Sequence, residues 1–193
     1  MRGYHHGHLR TALQDIALAL LDEAGIEAVT LREVARRAGV AHSAPANHFR
    51  DRRALLTAVA VEVTREVAGV VRSAFGEASE QRPRFRAAMG AALRYALAHP
   101  HRYRLINHHG MLDMTDTALV DAQHEIFDSI AAAFELPDRT AFGRETYVIA
   151  VWSMVHGYIS LRLDGTLVAG FDEVNGSSRE LALIDLLIGG DAR

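Results

Sequence analysis

Apolar residues recur along this chain at steps of three and four, and no stretch alternates apolar with polar. The pattern predicts helices throughout and no strands. Leu9, Leu13, Ile16, Ala17, Leu20, Leu21 and Ala24 share one face of a first helix, and Gly25 follows as its stop. Thr30 and Glu33 stand in capping-box spacing, and Val29 and Val34 have the spacing of a hydrophobic staple, so a second helix starts at Thr30. Its apolar face is small, formed by Val34, Ala35 and Ala38. Gly39 supplies the positive φ that ends it, and Val40 is placed to pack back into the core. A further helix is expected over residues 42–49. Proline inside a helix costs about 3 kcal/mol, unless Pro45 falls in the first turn. This helix is therefore expected to be short and to start late.

Beyond it, Asp51 is a candidate N-cap for a long helix over 52–75 carrying Leu55, Val59, Val63, Val67 and Val70. Pro83 opens a helix that ends before Pro100. A short segment near 102–108 and a helix near 117–134 follow, then a break at Pro137-Asp138 and a helix over 140–163. Residues 165–176 read as loop. Ser177 and Glu180 suggest another capping box, with the last helix running to Gly189-Gly190. The expected fold is all-α, with a small N-terminal domain over 1–53 and a larger helical domain over 54–193.

Two helices joined by a tight glycine turn form the unit that places a recognition helix in the DNA major groove. Its polar positions, His42, Ser43, Asn47 and His48, are the candidates for base contact. Asparagine reads adenine bidentately, and serine donates or accepts at several bases. Arg32 is placed to reach a guanine or a phosphate. Thr30 and Arg52 each stand at a helix start, where free N–H groups favour a phosphate. Thr30 is equally a cap, Ser43 is placed to cap the recognition helix, and His48 also suits the edge of the core.

The net charge of −3 is unusual for a DNA binder until it is divided. Residues 1–53 hold eight arginines against six acids, and the remainder holds thirteen against eighteen. The asymmetry fits a DNA-facing N-terminus on an acidic body. A nonspecific architectural binder, which relies on many phosphate contacts, is disfavoured by so small an excess.

No cysteine occurs, which removes disulfides, thiolate zinc sites and cysteine nucleophiles. No secretory leader is evident, and the longest apolar run, 147–161, is short for a span and interrupted by His156. A soluble, cytoplasmic protein without a membrane partner is expected. Catalytic signatures such as G-x-S-x-G, a phosphate loop or a dinucleotide glycine fingerprint are missing, so no enzyme and no cofactor are expected. Eleven histidines raise the alternative of a metal-binding helical protein or metal-dependent hydrolase. His5, His6 and His8 form one group, and His99, His101, His108 and His109 another, but neither has H-E-x-x-H spacing.

Together Gly25, Thr30, Arg32, Val34-Ala35, Gly39-Val40, His48-Phe49, Arg52 and Leu55-Leu56 make the chain resemble the TetR family of bacterial transcriptional regulators over about residues 9–59. Ala41, Ala46 and Arg52 depart from the serine, tyrosine and lysine common there. The lost tyrosine removes a usual phosphate contact, while Arg52 keeps the charge with different geometry. Trp152, His156 and Gly157 are similar to the W-x-x-x-H-G signature of the WHG-domain subgroup.

The resemblance implies a homodimer that binds a roughly palindromic double-stranded operator and responds to a small-molecule effector, as a repressor. The apolar stripes Val148, Val151, Val155, Ile159 and Leu181, Ile184, Ile188 suit an antiparallel four-helix dimer interface. A largely apolar effector is expected among Met89, Leu93, Tyr103, Met111, Phe127, Trp152 and His156. Each of these also suits plain core, and Trp152 with His156 reads either as a ligand clamp or as a buried tryptophan beside a satisfied histidine.

Overall fold

The computed structural model describes residues 6–76, 80–133 and 143–187. Eight α-helices lie among them: α1 (His6–Ala24), α2 (Leu31–Ala38), α3 (Arg52–Phe75), α4 (Gln81–Ala98), α5 (Pro100–Ile106), α6 (Thr117–Ala132), α7 (Arg144–Leu163) and α8 (Arg179–Leu187). Three single 3-10 turns, Ile26–Ala28, Pro45–Asn47 and His109–Met111, stand between them. No strand occurs among the described residues, whose one isolated bridge pairs Phe171 with Ser178. The protein is all-α, as the periodicity predicts. No described helix is long and apolar enough to cross a membrane.

The chain forms two compact units, one of residues 1–64 and 99–123 and the other of residues 65–98 and 124–193. The division therefore runs through α3 rather than before it. In the first unit α1 turns Leu13, Ala17, Leu20 and Leu21 inward, against Val34, Phe49 and Leu55 in one core. Residues 99–123 join that core through Leu105, Leu112 and Leu119. Each fully buried leucine contributes about 1.5–3 kcal/mol, enough to hold a segment so distant in sequence. Polar ties add to this. Arg102 makes a bidentate pair with Asp22 at 2.8 and 2.6 Å, and the Asp113 N–H donates to Thr57 Oγ1 at 2.9 Å.

Gly25 ends α1 by a route the sequence does not show. Its φ of 79° and ψ of −178° lead into the 3-10 turn Ile26–Ala28. A Cβ there would stand 3.1 Å from His101 Nδ1. Gly25→Ala is expected to destabilise this unit by about 1–3 kcal/mol, the cost of a backbone region open almost only to glycine. An unchanged denaturant midpoint would contradict that reading.

In the second unit α4 packs against α7 and α8. Phe85, Met89 and Leu93 of α4 and Val148, Val151 and Val155 of α7 are all buried. The start of α8 differs from expectation. Ser178, not Ser177, supplies the cap oxygen, accepting from the Leu181 N–H at 3.4 Å. Glu180 instead accepts from Arg162 at 2.6 Å and from the Tyr158 hydroxyl at 2.8 Å. The expected start of the preceding helix at Thr140 and the Gly189-Gly190 stop lie outside the described residues.

Candidate nucleic-acid interface

Thr30 adopts an extended conformation, and its Oγ1 accepts from the Glu33 N–H at 3.1 Å. Val29 and Val34, the staple positions, are both fully buried. Only half of the capping box forms. The Glu33 carboxylate turns to the Arg36 guanidinium, with bonds of 2.8 and 2.6 Å, because a bidentate charged fork binds it more strongly than a neutral N–H. At the other end Gly39 is left-handed, with φ 66° and ψ 27°. Its N–H bonds Arg36 O at 3.3 Å, and the Val40 N–H bonds Ala35 O at 3.1 Å. Those two bonds are the pair of a Schellman motif, which fixes the angle at which the chain leaves α2.

The recognition segment is not the helix expected over 42–49. Within it only Pro45–Asn47 forms a 3-10 turn, flanked by further turns. Pro45 has no N–H to give, so Ala41 O takes its bond from Ala44 at 2.9 Å and the coil tightens to three-residue steps. The segment is held from below by Pro45 and Phe49, both buried, and from the side by Arg10. Arg10 Nη1 donates to His48 O at 2.6 Å, and its guanidinium lies 4.6 Å over the Phe49 ring. Sequence reasoning missed Arg10, because nothing in a helical stripe tells which exposed residue reaches a loop far along the chain. His42, Ser43 and Asn47 are exposed and His48 is half-buried. Ala44 rather than Ser43 stands at the N-cap of the turn, and no side chain caps it.

The arginines of α2 divide sharply. Arg36 and Arg37 are neutralised, Arg36 by Glu33 and Arg37 by Glu23 at 2.7 Å. Arg32 is exposed and forms no hydrogen bond or ion pair among the described residues. Hydrogen bonding from Arg36, joined by Arg37, pushes the Glu33 carboxyl down from its ordinary 4.5 to about 2. Glu33 therefore stabilises α2 fully above about pH 4.5 and loses that contribution as the pH falls through about 2. Carboxyl NMR titration should show the low value in the native chain and a rise toward the ordinary value in Arg36→Ala. An ordinary titration in the native chain would exclude the pairing.

Asp51 caps α3 by accepting from the Ala54 N–H at 2.7 Å. Arg52, the first residue of that helix, turns back toward the chain before α2. It donates to Val29 O at 2.7 Å and Ile26 O at 2.6 Å, and its Nη2 lies 3.4 Å from Glu27. Its guanidinium thus ties the start of α3 to the approach of α2, and a phosphate would have to share those donors. Arg50, next to the recognition segment, pairs with Asp113 at 2.9 Å.

The other expected constellations do not assemble as expected. Val148, Val151, Val155, Ile159 and Ile184 are buried within the chain itself, at 7 % exposure or less. They are core, so they cannot also form a dimer interface; Leu181 is half-buried and Ile188 lies outside the described residues. The outer side of the same helices exposes Ile149, Trp152 and Leu186 instead. The expected effector set is likewise dispersed. Tyr103 and Met111 belong to the first unit, where burial pushes the Tyr103 phenol up. Met89 and Leu93 are core of the second, and Phe127 is 40 % exposed. Trp152 is half-exposed rather than buried and stacks on His156 at 5.1 Å. Among the described residues no three of His, Asp and Glu group as a metal would require; His5 lies outside the described residues.

Residues 13–59 match the model of bacterial regulatory proteins of the tetR family, and residues 85–183 match the tetracyclin repressor-like C-terminal domain. The narrower W-x-x-x-H-G subgroup is not distinguished by these matches. No curated protein matches the chain. Among solved structures, a protein of unknown function from Rhodococcus sp. RHA1 is 29% identical with a TM-score of 0.78, covering 100% of both chains. PfmR, a TetR family transcriptional regulator from Thermus thermophilus, is 19% identical with a TM-score of 0.63, covering 94% of this chain and 99% of its own. A TetR family transcription regulator from Marinobacter aquaeolei is 15% identical with a TM-score of 0.62, covering 93% and 91%.

Proposed function

The chain belongs to the TetR family of bacterial regulatory proteins, and from that premise we propose that it is a homodimeric, ligand-responsive repressor of a roughly palindromic operator. The observation that carries this reading is one exposed polar ridge. His42, Ser43 and Asn47 stand out from a turn anchored by buried Phe49, and on the preceding α2 Arg32 is exposed and unpaired among the described residues while the other arginines are neutralised. Asn47 reads adenine, His42, Ser43 and His48 adapt to neighbouring base edges, and Arg32 takes a guanine or phosphate. The Thr30 hydroxyl accepts from Glu33 and keeps its own proton to donate to a phosphate. Arg52 acts chiefly by holding α2 and α3 in register.

Dimerisation proceeds through the outer face of α7 and α8, where Ile149, Trp152 and Leu186 are exposed. Gly157 lies on α7 with no atom within 4 Å of where its Cβ would be, leaving room for close helix approach. The role is regulatory, not catalytic. An effector in the second unit releases DNA only if it prefers a dimer whose recognition segments no longer match the half-site spacing, and operator must weaken effector binding by the same factor.

Selection of genomic fragments, followed by mobility shifts, tests the reading. The tightest fragments should carry a two-fold repeat with half-sites about one helical turn apart or slightly more. Affinity should fall steeply with salt as phosphate contacts are screened. Selected fragments without a two-fold repeat would sink the dimeric operator.

A further inference from the structure

The second unit contains an open cavity of about 650 Å³ lined by residues of α4, α8 and the loop that joins α7 to α8. That size lies within the range of small-molecule sites. Three of its side chains, Arg82, Arg86 and Arg94, come from α4, and its single carboxylate is Asp185 of α8. Steps of four residues carry these arginines along one stripe of α4, and Gly90 fills the remaining position of that stripe. A Cβ on Gly90 would stand 3.1 Å from Arg94 Nη1 and 3.8 Å from Leu181 Cδ2. Glycine inside a helix costs about 1 kcal/mol relative to alanine. Here it lets the Arg94 guanidinium lie along bare backbone beside an apolar side chain.

Charge and surface then specify the occupant. Arg86 lies 3.3 Å from Asp185, an exposed pair that an incoming anion can rearrange at small cost. Arg94 has no hydrogen bond or ion pair among the described residues. The remaining wall includes Pro83, Ala87 and Leu181, so the Arg94 charge borders an apolar surface. We propose that this cavity takes an organic anion with an apolar tail, its carboxylate on the Arg94 fork and its tail along Leu181 and Ala87. The proposal rests on the ligand-responsive reading and names the chemical class of the effector. It also replaces the largely apolar effector expected from sequence, because Met89 and Leu93 are in the core and do not line this cavity.

Calorimetric titration of the full chain decides it, with octanoate and 2-naphthoate as probes and 1-octanol and 2-naphthol as neutral counterparts. At least one carboxylate should bind saturably, with its alcohol at least tenfold weaker, as a charge-assisted hydrogen bond implies. Arg94→Gln should cost the carboxylate about tenfold and leave the alcohol unchanged. Gly90→Ala keeps every charge but displaces the Arg94 fork, and should also weaken the carboxylate. Failure of both carboxylates to bind, equal binding of the alcohols, or indifference to Arg94→Gln would overturn the site. Operator affinity is measured in parallel, without and with probe. Intact operator binding with no carboxylate binding removes the anion site alone, whereas absent operator binding removes the regulator reading. Carboxylate binding that leaves operator affinity unchanged would show that the cavity is not the effector site.

Discussion

Ile149→Asp combined with Leu186→Asp is expected to turn the proposed dimer into a monomer and to abolish operator binding at concentrations where the native protein is saturated. Both side chains are already exposed in the single chain, at 50 % and 73 %, so aspartate there costs the folded monomer little. Across a close helix–helix interface the same carboxylates would be desolvated without partners, at several kcal/mol each. The expected result is a monomer by sedimentation equilibrium with unchanged helicity. Val148→Asp is the contrasting case. With 2 % exposure it places a charge in the core and should unfold the second unit. A double aspartate variant that stays dimeric would show that the outer face of α7 and α8 is not the interface.

The second large effect lies at the ridge. Asn47→Ala and Arg32→Ala should each weaken operator binding by about 1–3 kcal/mol per half-site, the value of a good bidentate base contact. Two half-sites per dimer double that loss. Because both side chains are exposed, stability should not change. The signature is relaxed sequence choice, visible when binding to the selected operator is compared with single-base variants of it. Arg52→Ala should behave differently. It removes donors to Val29 O and Ile26 O, so it should lower the stability of the first unit and weaken all sequences alike. If Asn47→Ala changes neither affinity nor preference, the ridge is not the reading face.

Local rules were legible in the sequence where one short segment contained both partners of an interaction. The Thr30 cap, the Gly39 turn and the Asp51 cap all have partners within five residues. The exposure of His42, Ser43 and Asn47 fits these local rules, since the caps and the glycine turn set how the chain enters and leaves residues 42–48. What lay beyond reach depended on choices between competing partners. Glu33 had both a backbone N–H and Arg36 within range, and the charged fork won. Pro45 leaves a three-residue step as good as a four-residue one, so a 3-10 turn replaced a helix.

The stripe expected at a dimer interface is buried within the chain for a related reason. Around Val148, Ile149, Val151 and Trp152, α7 is apolar on two sides. Periodicity shows two stripes but does not say which one the chain buries against its own α4. The arginine cavity was invisible because its parts are far apart in sequence. Nothing in the helical pattern around Gly90 and Arg94 tells that Leu181 of α8 lies beside them.

Titration of a selected operator, alongside a version with one half-site scrambled, tests most directly whether two recognition segments of one dimer read the DNA together. The account predicts two chains on the intact operator, and binding to the single half-site weaker by about a hundredfold or more, the usual gain from linking two sites. Equal affinity for the two duplexes, or one chain bound to the intact operator, would contradict it.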